Sequence, residues 1–306
     1  MKFANLVRQH WASLRALLVL SVILGVGYPL LIWLVAQLPV LHDRAEGSIV
    51  TVGDTPVGSA LIGQSFTDAA GRPLPQYFQS RPSVGGYDPL ATGGSNLGPE
   101  SIVDVPADPA QLARGVELAA AGFRPSLLTQ VCARSVTVAR LEGVDGSRPF
   151  CTGGGVGAVL SVIGPRDAGG NVTHPTRVVS VNEPCAPGER PFLDSYAGVP
   201  VECARFGEDH AIGQIVPIRG DAPDQPAVPP DAVTASASGV DPDISPAYAE
   251  IQIARVARVR HLTEEQVRDV VAAHRSGRAL GLFGEPRVNV LAVNLELDRK
   301  YPLAGG

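Results

Sequence analysis

The sequence predicts a single N-terminal transmembrane helix followed by an α/β (α+β) extracytoplasmic domain that carries a large loop-rich insertion. Three observations predict it. An uncharged apolar run fills residues 16–41. Helix caps and periodic apolar positions crowd residues 245–297. Between them lies a Gly- and Pro-rich stretch that holds every cysteine of the chain.

The anchor comes first. From Ala16 to Leu41 the chain runs 26 residues without a charge. As a helix this run is about 39 Å long, against roughly 30 Å of bilayer hydrocarbon. Arg15 and His42 bracket it, and Trp11 and Trp33 lie toward its ends, where an indole reaches the headgroups. Lys2, Arg8 and Arg15 precede it, whereas Asp43, Arg44 and Glu46 after it nearly cancel. The excess of leading cations predicts residues 1–15 in the cytoplasm and residues 43–306 outside. A cleaved signal peptide has a shorter apolar region and a small-residue cleavage site, and Leu34-Val35-Ala36 fits that pattern poorly. Ser21 and Gly25 form a small-xxx-small pair, and Pro29 predicts a kink. These three are candidates for packing against a partner helix, although small residues facing lipid need no partner. One helix without an internal charge makes no pore, so any transport path would come from other chains.

After the anchor, residues 43–57 read as a short exit linker. Gly58–Phe66 has the apolar spacing of a short strand or an extended segment between glycines. Residues 71–99, dense in Gly, Pro, Ser and Asn, read as ordered but irregular. In the insertion, residues 105–228, Gln111–Ala121 reads as a helix and Val178–Val181 and Ala211–Ile218 as strands. Asp221–Pro230 reads as a linker back to the domain proper, residues 43–104 and 229–306. Ser245-Pro246 is an N-cap and first-turn proline for a helix running to about Arg260. Thr263-Glu264-Glu265-Gln266 is a capping box, with Leu262 and Val267 at the staple positions. Val267, Val270, Val271 and His274 mark one face of the helix that follows, with Gly277 and Gly281 at its exit. Val288–Leu297 reads as a strand with Leu291, Val293, Leu295 and Leu297 on one side.

Composition narrows the function classes. The net charge is -5, and the three leading cations leave -8 on the remainder. That is no field for nucleic acid, and no basic stripe with interleaved aromatics appears. Cys132, Cys151, Cys185 and Cys203 form no CxxC and have no histidine pair at zinc-ligand spacing. An even number in an exported segment predicts disulfides. Loop closure favours neighbours in sequence, Cys132 with Cys151 and Cys185 with Cys203, against the alternative of four buried thiols. The run Cys151–Gly157 is glycine-rich but lacks the Lys-Ser/Thr ending of a phosphate loop. Asn171-Val172-Thr173 is a sequon of a kind that arises by chance. No HExxH, GxSxG or paired-carboxylate pattern occurs, and His174, His210, His261 and His274 are scattered. No catalytic, cofactor-binding or metal-ligating residue is therefore assigned.

Four stretches carry more information. They are Gln76–Ser83 (QYFQSRPS), Thr92–Pro99 (TGGSNLGP), Val233–Pro242 (VTASASGVDP) and Gly284–Leu291 (GEPRVNVL), preceded by Gly58–Gln64 (GSALIGQ). In this order, behind an N-terminal anchor, they resemble the KdpC family of the bacterial potassium-transporting Kdp ATPase. Ala237, Val240 and Asp243 depart from its TASGSGLDPHIS pattern. The likeness covers roughly residues 10–100 and 229–298, so most of 105–228 is extra relative to the family pattern. The resemblance implies a non-catalytic subunit of a complex with a channel-like subunit (KdpA), a P-type ATP-hydrolysing subunit (KdpB) and a small single-helix subunit (KdpF), in the lipid bilayer. It implies that the complex handles ATP and potassium, and that this chain raises ATP affinity as a catalytic chaperone. With the domain outside the membrane, that effect would be indirect, through the anchor. The matching positions Gln64, Tyr77, Arg81, Ser95, Asn96, Ser236, Ser238, Asp241, Arg287 and Asn289 are then interface or structural candidates. The competing readings are a membrane-anchored exported hydrolase and a cell-wall binding module.

Overall fold

The computed structural model describes residues 3–183, 185, 190–278 and 280–303, so Lys2, one of the three leading cations, lies outside the described residues. The chain divides into two compact units, Met1–Leu61 and Ile62–Gly306.

In the first unit a helix of 34 residues, Phe3–Ala36, is apolar and long enough to cross a membrane. It starts earlier and ends sooner than the uncharged run. It comprises α1 (Phe3–Val22), one π-helical turn (Ile23–Gly27) and α2 (Tyr28–Ala36). Pro29, in the first turn of α2, has no N–H to give the carbonyl four residues back. The widened turn just before it, with Tyr28 N–H donating to Ile23 O, takes up that loss. The expected linker 43–57 is instead structured. It holds the end of α3 (Pro39–Ala45) and the hairpin of β1 (Ile49–Val52) and β2 (Thr55–Ser59). Val52 pairs with Thr55 across a two-residue Gly53-Asp54 turn, and Gly53 has φ +59°. Of the strand or extended segment expected over Gly58–Phe66, only Gly58 and Ser59 belong to a strand, the end of β2.

The second unit opens with the irregular stretch expected from its turn residues, then α4 (Pro109–Leu112) and α5 (Leu127–Glu142). The helix expected over Gln111–Ala121 is reduced to α4, because Gly115 turns into the left-handed region at φ +79°. In contrast, α5 was not anticipated. Ser126 caps it, its side chain accepting from Thr129 N–H, and Gly143 ends it at φ +73°. A five-stranded sheet follows, in the order β5-β6-β4-β3-β7. Its strands are β3 (Val159–Ile163), β4 (Arg177–Ser180), β5 (Ser195–Tyr196), β6 (Val199–Cys203) and β7 (Gln214–Pro217). Only β4 and β6 pair in parallel. The strand expected from Ala211 begins later, because His210–Ile212 is a 3₁₀ turn.

The chain returns through α6 (Pro230–Val233) and β8 (Asp243–Ile244) to α7 (Pro246–Arg260) and α8 (Glu264–Ala273). Both predicted caps are present, Ser245 accepting from Tyr248 N–H and Thr263 closing a capping box with Gln266. Helix α8 stops before Gly277, and β9 (Arg275–Ser276) follows directly. The expected strand Val288–Leu297 is corrected. Strand β10 covers Arg287–Asn289, and Val290–Lys300 is helix α9. The odd-numbered apolar residues imitate a strand, yet Val290, Val293 and Leu297 also repeat at helical spacing. Asn289 decides the matter by accepting from Ala292 N–H as an N-cap. A small antiparallel sheet, β8-β10-β9, completes the unit.

Two cores form. In one, Ile253 and Val256 of α7, Val267 and Val270 of α8, and Val293 and Leu297 of α9 close over Phe78 and Val228. Each such side chain contributes about 1.5–3 kcal/mol. Ala139 of α5 belongs to this core, so the segment 105–228 is woven into the domain. The second core packs Leu160, Val162, Val178 and Val201 on the five-stranded sheet. Disulfides join Cys132 to Cys151 and Cys185 to Cys203, with Cα separations of 5.5 and 5.6 Å.

Candidate functional site

Among the described residues no strand pairs with the stretch Gln76–Ser83, yet the main chain of Phe78 and Gln79 is held on both N–H and C=O. Asn294 of α9 accepts from Phe78 N–H at 2.8 Å and donates to Phe78 O at 3.0 Å. Gln252 of α7 does the same for Gln79, at 2.7 and 3.2 Å. Two amide side chains thus replace a partner strand. Beneath them Arg255, 2% exposed, donates to Tyr77 O and Pro75 O and pairs with Glu142 of α5 at 2.9 Å. Burial pushes the Glu142 carboxyl up, the nearby Arg255 notwithstanding. The pinned segment then presents Arg81 to the loop 234–241.

At that loop the motifs meet. Arg81 Nη1 pairs with Asp241 Oδ2 at 2.8 Å. Ser83 Oγ donates to Gly239 O at 2.7 Å, and Ser236 N–H to Pro82 O at 2.9 Å. Gly93 N–H reaches Ser238 O at 2.9 Å, and Gly63 N–H reaches Val240 O at 2.8 Å. Inside the loop the Ser236 and Ser238 hydroxyls lie 3.1 Å apart, and Ser238 Oγ donates to Asp241 Oδ1 at 3.3 Å. Gly63 has no alternative residue here, because a Cβ would stand 2.2 Å from Asp241 O. Tyr87 closes the seam, its hydroxyl donating to Arg81 O at 2.5 Å, and burial pushes its phenol up to about 12. The last motif joins through β10, where Arg287 pairs with Asp243 at 2.9 Å and Asn289 Nδ2 donates to Asp243 Oδ1 at 3.2 Å.

Two clefts flank the seam. One of about 640 Å³ is lined by Arg81, Asp231, Asp241, Asp243, Glu285 and Arg287, together with several prolines. It alternates cations and carboxylates, most of them already in pairs. The other, about 340 Å³, is lined by Ser95, Asn96, Ser236 and Arg134 of α5. Asn96 holds φ +56°, which turns the GGSN loop over the cleft. Arg134 donates to Val233 O at 3.0 Å and to Gln130 Oε1 at 3.1 Å, and burial holds its guanidinium below the usual range.

Of the motif candidates, Arg81, Asp241 and Arg287 line the first cleft and Ser95, Asn96 and Ser236 the second. Ser238 lies in the loop between them. Gln64 takes part through its carbonyl, which accepts from Ser80 Oγ at 2.8 Å. Asn289 caps α9. Tyr77 is turned into the fold, its hydroxyl on Asp298 Oδ2 at 3.0 Å and its ring 5.1 Å from the Arg260 guanidinium. Ser21, Gly25 and Pro29 stand exposed along the first unit's helix, and nothing lies within 4 Å of a Cβ built on Gly25. Sequence reasoning missed Arg134, Asp231, Asp243 and Glu285. Arg134 was hidden because α5 was. Asp243 was readable, since it stands in the matched motif in place of histidine.

The described arrangement is a stitched surface with charged grooves, and the motifs that compose it stand in one order along the chain. A family model described as "KdpC: K+-transporting ATPase, c chain" matches residues 10–110 and 210–299. The chain belongs to the KdpC family. Its relatives include potassium-transporting ATPase KdpC subunits from Kineococcus radiotolerans, 33% identical over 300 residues that cover 97% of both chains, and from Beijerinckia indica, 30% identical over 94% of this chain and 92% of the other. That of Koribacter versatilis is 30% identical over 95% of this chain and 94% of its own length. Residues 111–209 fall outside the family model, but these KdpC relatives have comparable length and align across nearly all of it. The segment 105–228 is therefore not peculiar to this chain. Membership leaves the hydrolase and wall-binding readings without support.

Proposed function

We propose that this chain is the accessory C subunit of an ATP-driven potassium pump, held in the membrane by its first helix. Family membership across nearly the whole chain carries this reading. The motif surface supports it further, because the motifs together build grooves and pinned loops, the equipment of a docking surface. In this reading catalysis lies on the P-type subunit (KdpB), the ion path on the channel-like subunit (KdpA), and a small helix (KdpF) completes the complex. The chain binds no cofactor itself. The domain lies outside the cytoplasm, as the leading cations and two disulfides favour. It then raises ATP affinity only indirectly, through the anchor helix and its neighbours.

Two experiments test this. Tagged chain, solubilised gently, is expected to bring down the potassium-pump subunits, and purification of the chain alone from cells expressing them would refute the assignment. Deleting residues 43–306 while keeping the anchor is expected to impair assembly or potassium affinity. For sidedness, a Leu90→Cys variant is informative, because Leu90 is 95% exposed and no free cysteine competes with it among the described residues. A membrane-impermeant maleimide is expected to label it in cells whose inner membrane is intact, and labelling only after that membrane is opened would reverse the topology.

A further inference from the structure

Most exposed apolar side chains of the second unit stand singly, as is usual for a protein surface. The turn between β9 and β10 is different. Leu280, Leu282 and Phe283 are exposed by 89%, 79% and 66%. Three large apolar side chains thus crowd within four consecutive residues of a chain in which aromatics are only 5%. Their backbone is shaped to present them. Gly281 N–H donates to Arg278 O at 3.1 Å, and Leu280, Gly281 and Gly284 all adopt positive φ, at +53°, +74° and +76°. A leucine in that region is strained without a turn to hold it.

Charge says what covers them. Residues 274–287 carry Arg275, Arg278 and Arg287 against Glu285 alone, a net +2 where the rest of the chain beyond residue 42 carries -10. Arg278 pairs with Glu285 at 2.8 Å and Arg287 with Asp243 at 2.9 Å, both arginines staying about half exposed. An apolar tip set among arginines matches an anionic bilayer surface, where the tip enters the acyl boundary and the guanidinium groups stay with the phosphates. A membrane is also always close. Only 25 residues separate Ala36, the end of the apolar helix, from Ile62, and α3 and the β1–β2 hairpin shorten that connection. Such a tether holds the bilayer surface at high effective concentration.

We infer that the turn 280–283 dips into the headgroup region of the membrane that the anchor crosses, giving the domain a second, peripheral point of attachment. The inference rests on the anchor reading, and the test separates the two.

The four native cysteines are paired, so one introduced cysteine carries one label. A nitroxide is placed on the full chain at Leu282→Cys, on Leu90→Cys as the aqueous reference and on Leu31→Cys within the anchor. Each protein is put in nanodiscs containing anionic lipid, and collision rates with oxygen and with a water-soluble nickel chelate are compared. The oxygen-to-nickel ratio at 282 is expected to exceed that at 90 several-fold and to fall below that at 31. Replacing the anionic lipid by a zwitterionic one is expected to lower it. A ratio at 282 equal to that at 90, with 31 in lipid, overturns the inference and spares the anchor. An aqueous ratio at 31 overturns the anchor itself. A label at 282 shielded from both reagents in the assembled pump assigns the turn to a protein pocket and also overturns the inference.

Discussion

Asn289 serves two elements with one side chain. Its Oδ1 accepts from Ala292 N–H and starts α9, while its Nδ2 holds Asp243 of the charged cleft. Asn289→Ala is expected to cost about 1 kcal/mol in chemical denaturation of the purified chain, the usual value of an N-cap. Glu142 behaves differently. Its carboxyl is buried against Arg255, and burial raises its pKa above the ordinary 4.5. The folded state therefore holds this proton more tightly than the unfolded chain does. The resulting stability is fully present below 4.5 and is lost as pH rises through the raised value. Glu142→Gln, which mimics the protonated carboxyl, is expected to remove that decline, so the stabilities of variant and parent should be similar at low pH and the parent should fall below the variant as pH rises. A constant gap between them would contradict the sign. Neither role was legible from sequence, since a glutamate in an unrecognised helix gives no hint of an arginine more than a hundred positions away.

Among elements, the best-read ones announce themselves locally. Ser245-Pro246 and the Thr263–Gln266 box fixed the starts of α7 and α8, because a cap is a property of four adjacent residues. Helix α9 was misread because alternation and helical spacing coincide over eight residues, and the hairpin after the anchor because its turn sits among polar residues that also suit a linker. The seam of motif loops was legible as sequence but not as geometry. Its assembly depends on close approach at Gly63, where Asp241 O and Tyr87 Cε1 would lie 2.2 and 2.7 Å from a Cβ. Gly63→Ala is expected to destabilise the domain by about 1–3 kcal/mol through overpacking. Thermal unfolding measures this, and limited proteolysis should find new cleavage near residues 234–241.

For the whole molecule, the two disulfides lie wholly within the segment between the family-model matches, each closing a short loop of 19 or 18 residues. The Cys132–Cys151 bridge matters more, because it ties α5, a helix of the main core, to the turn Cys151–Gly157 that leads into β3 of the second sheet. Replacing this pair by serine is expected to lower stability by about 3 kcal/mol, read from the denaturation midpoint of the full chain. It should also loosen the five-stranded sheet more than the α7–α9 bundle, which hydrogen exchange resolves region by region.

The amide clamps on Phe78 and Gln79 span 216 and 173 positions of sequence. Until the ribosome has released α7 and α9, the main chain of Phe78 and Gln79 lacks the side chains that hold it. The order of synthesis is thus opposed to the order of assembly, and the early motifs must wait, extended and vulnerable, for the tail to arrive. A nonsense codon near residue 276 would spare α7 but remove α9, and with it the Asn294 clamp and Val293 and Leu297 of the main core, so the surviving polypeptide is expected to leave the membrane fraction faster than the full chain in a pulse-chase.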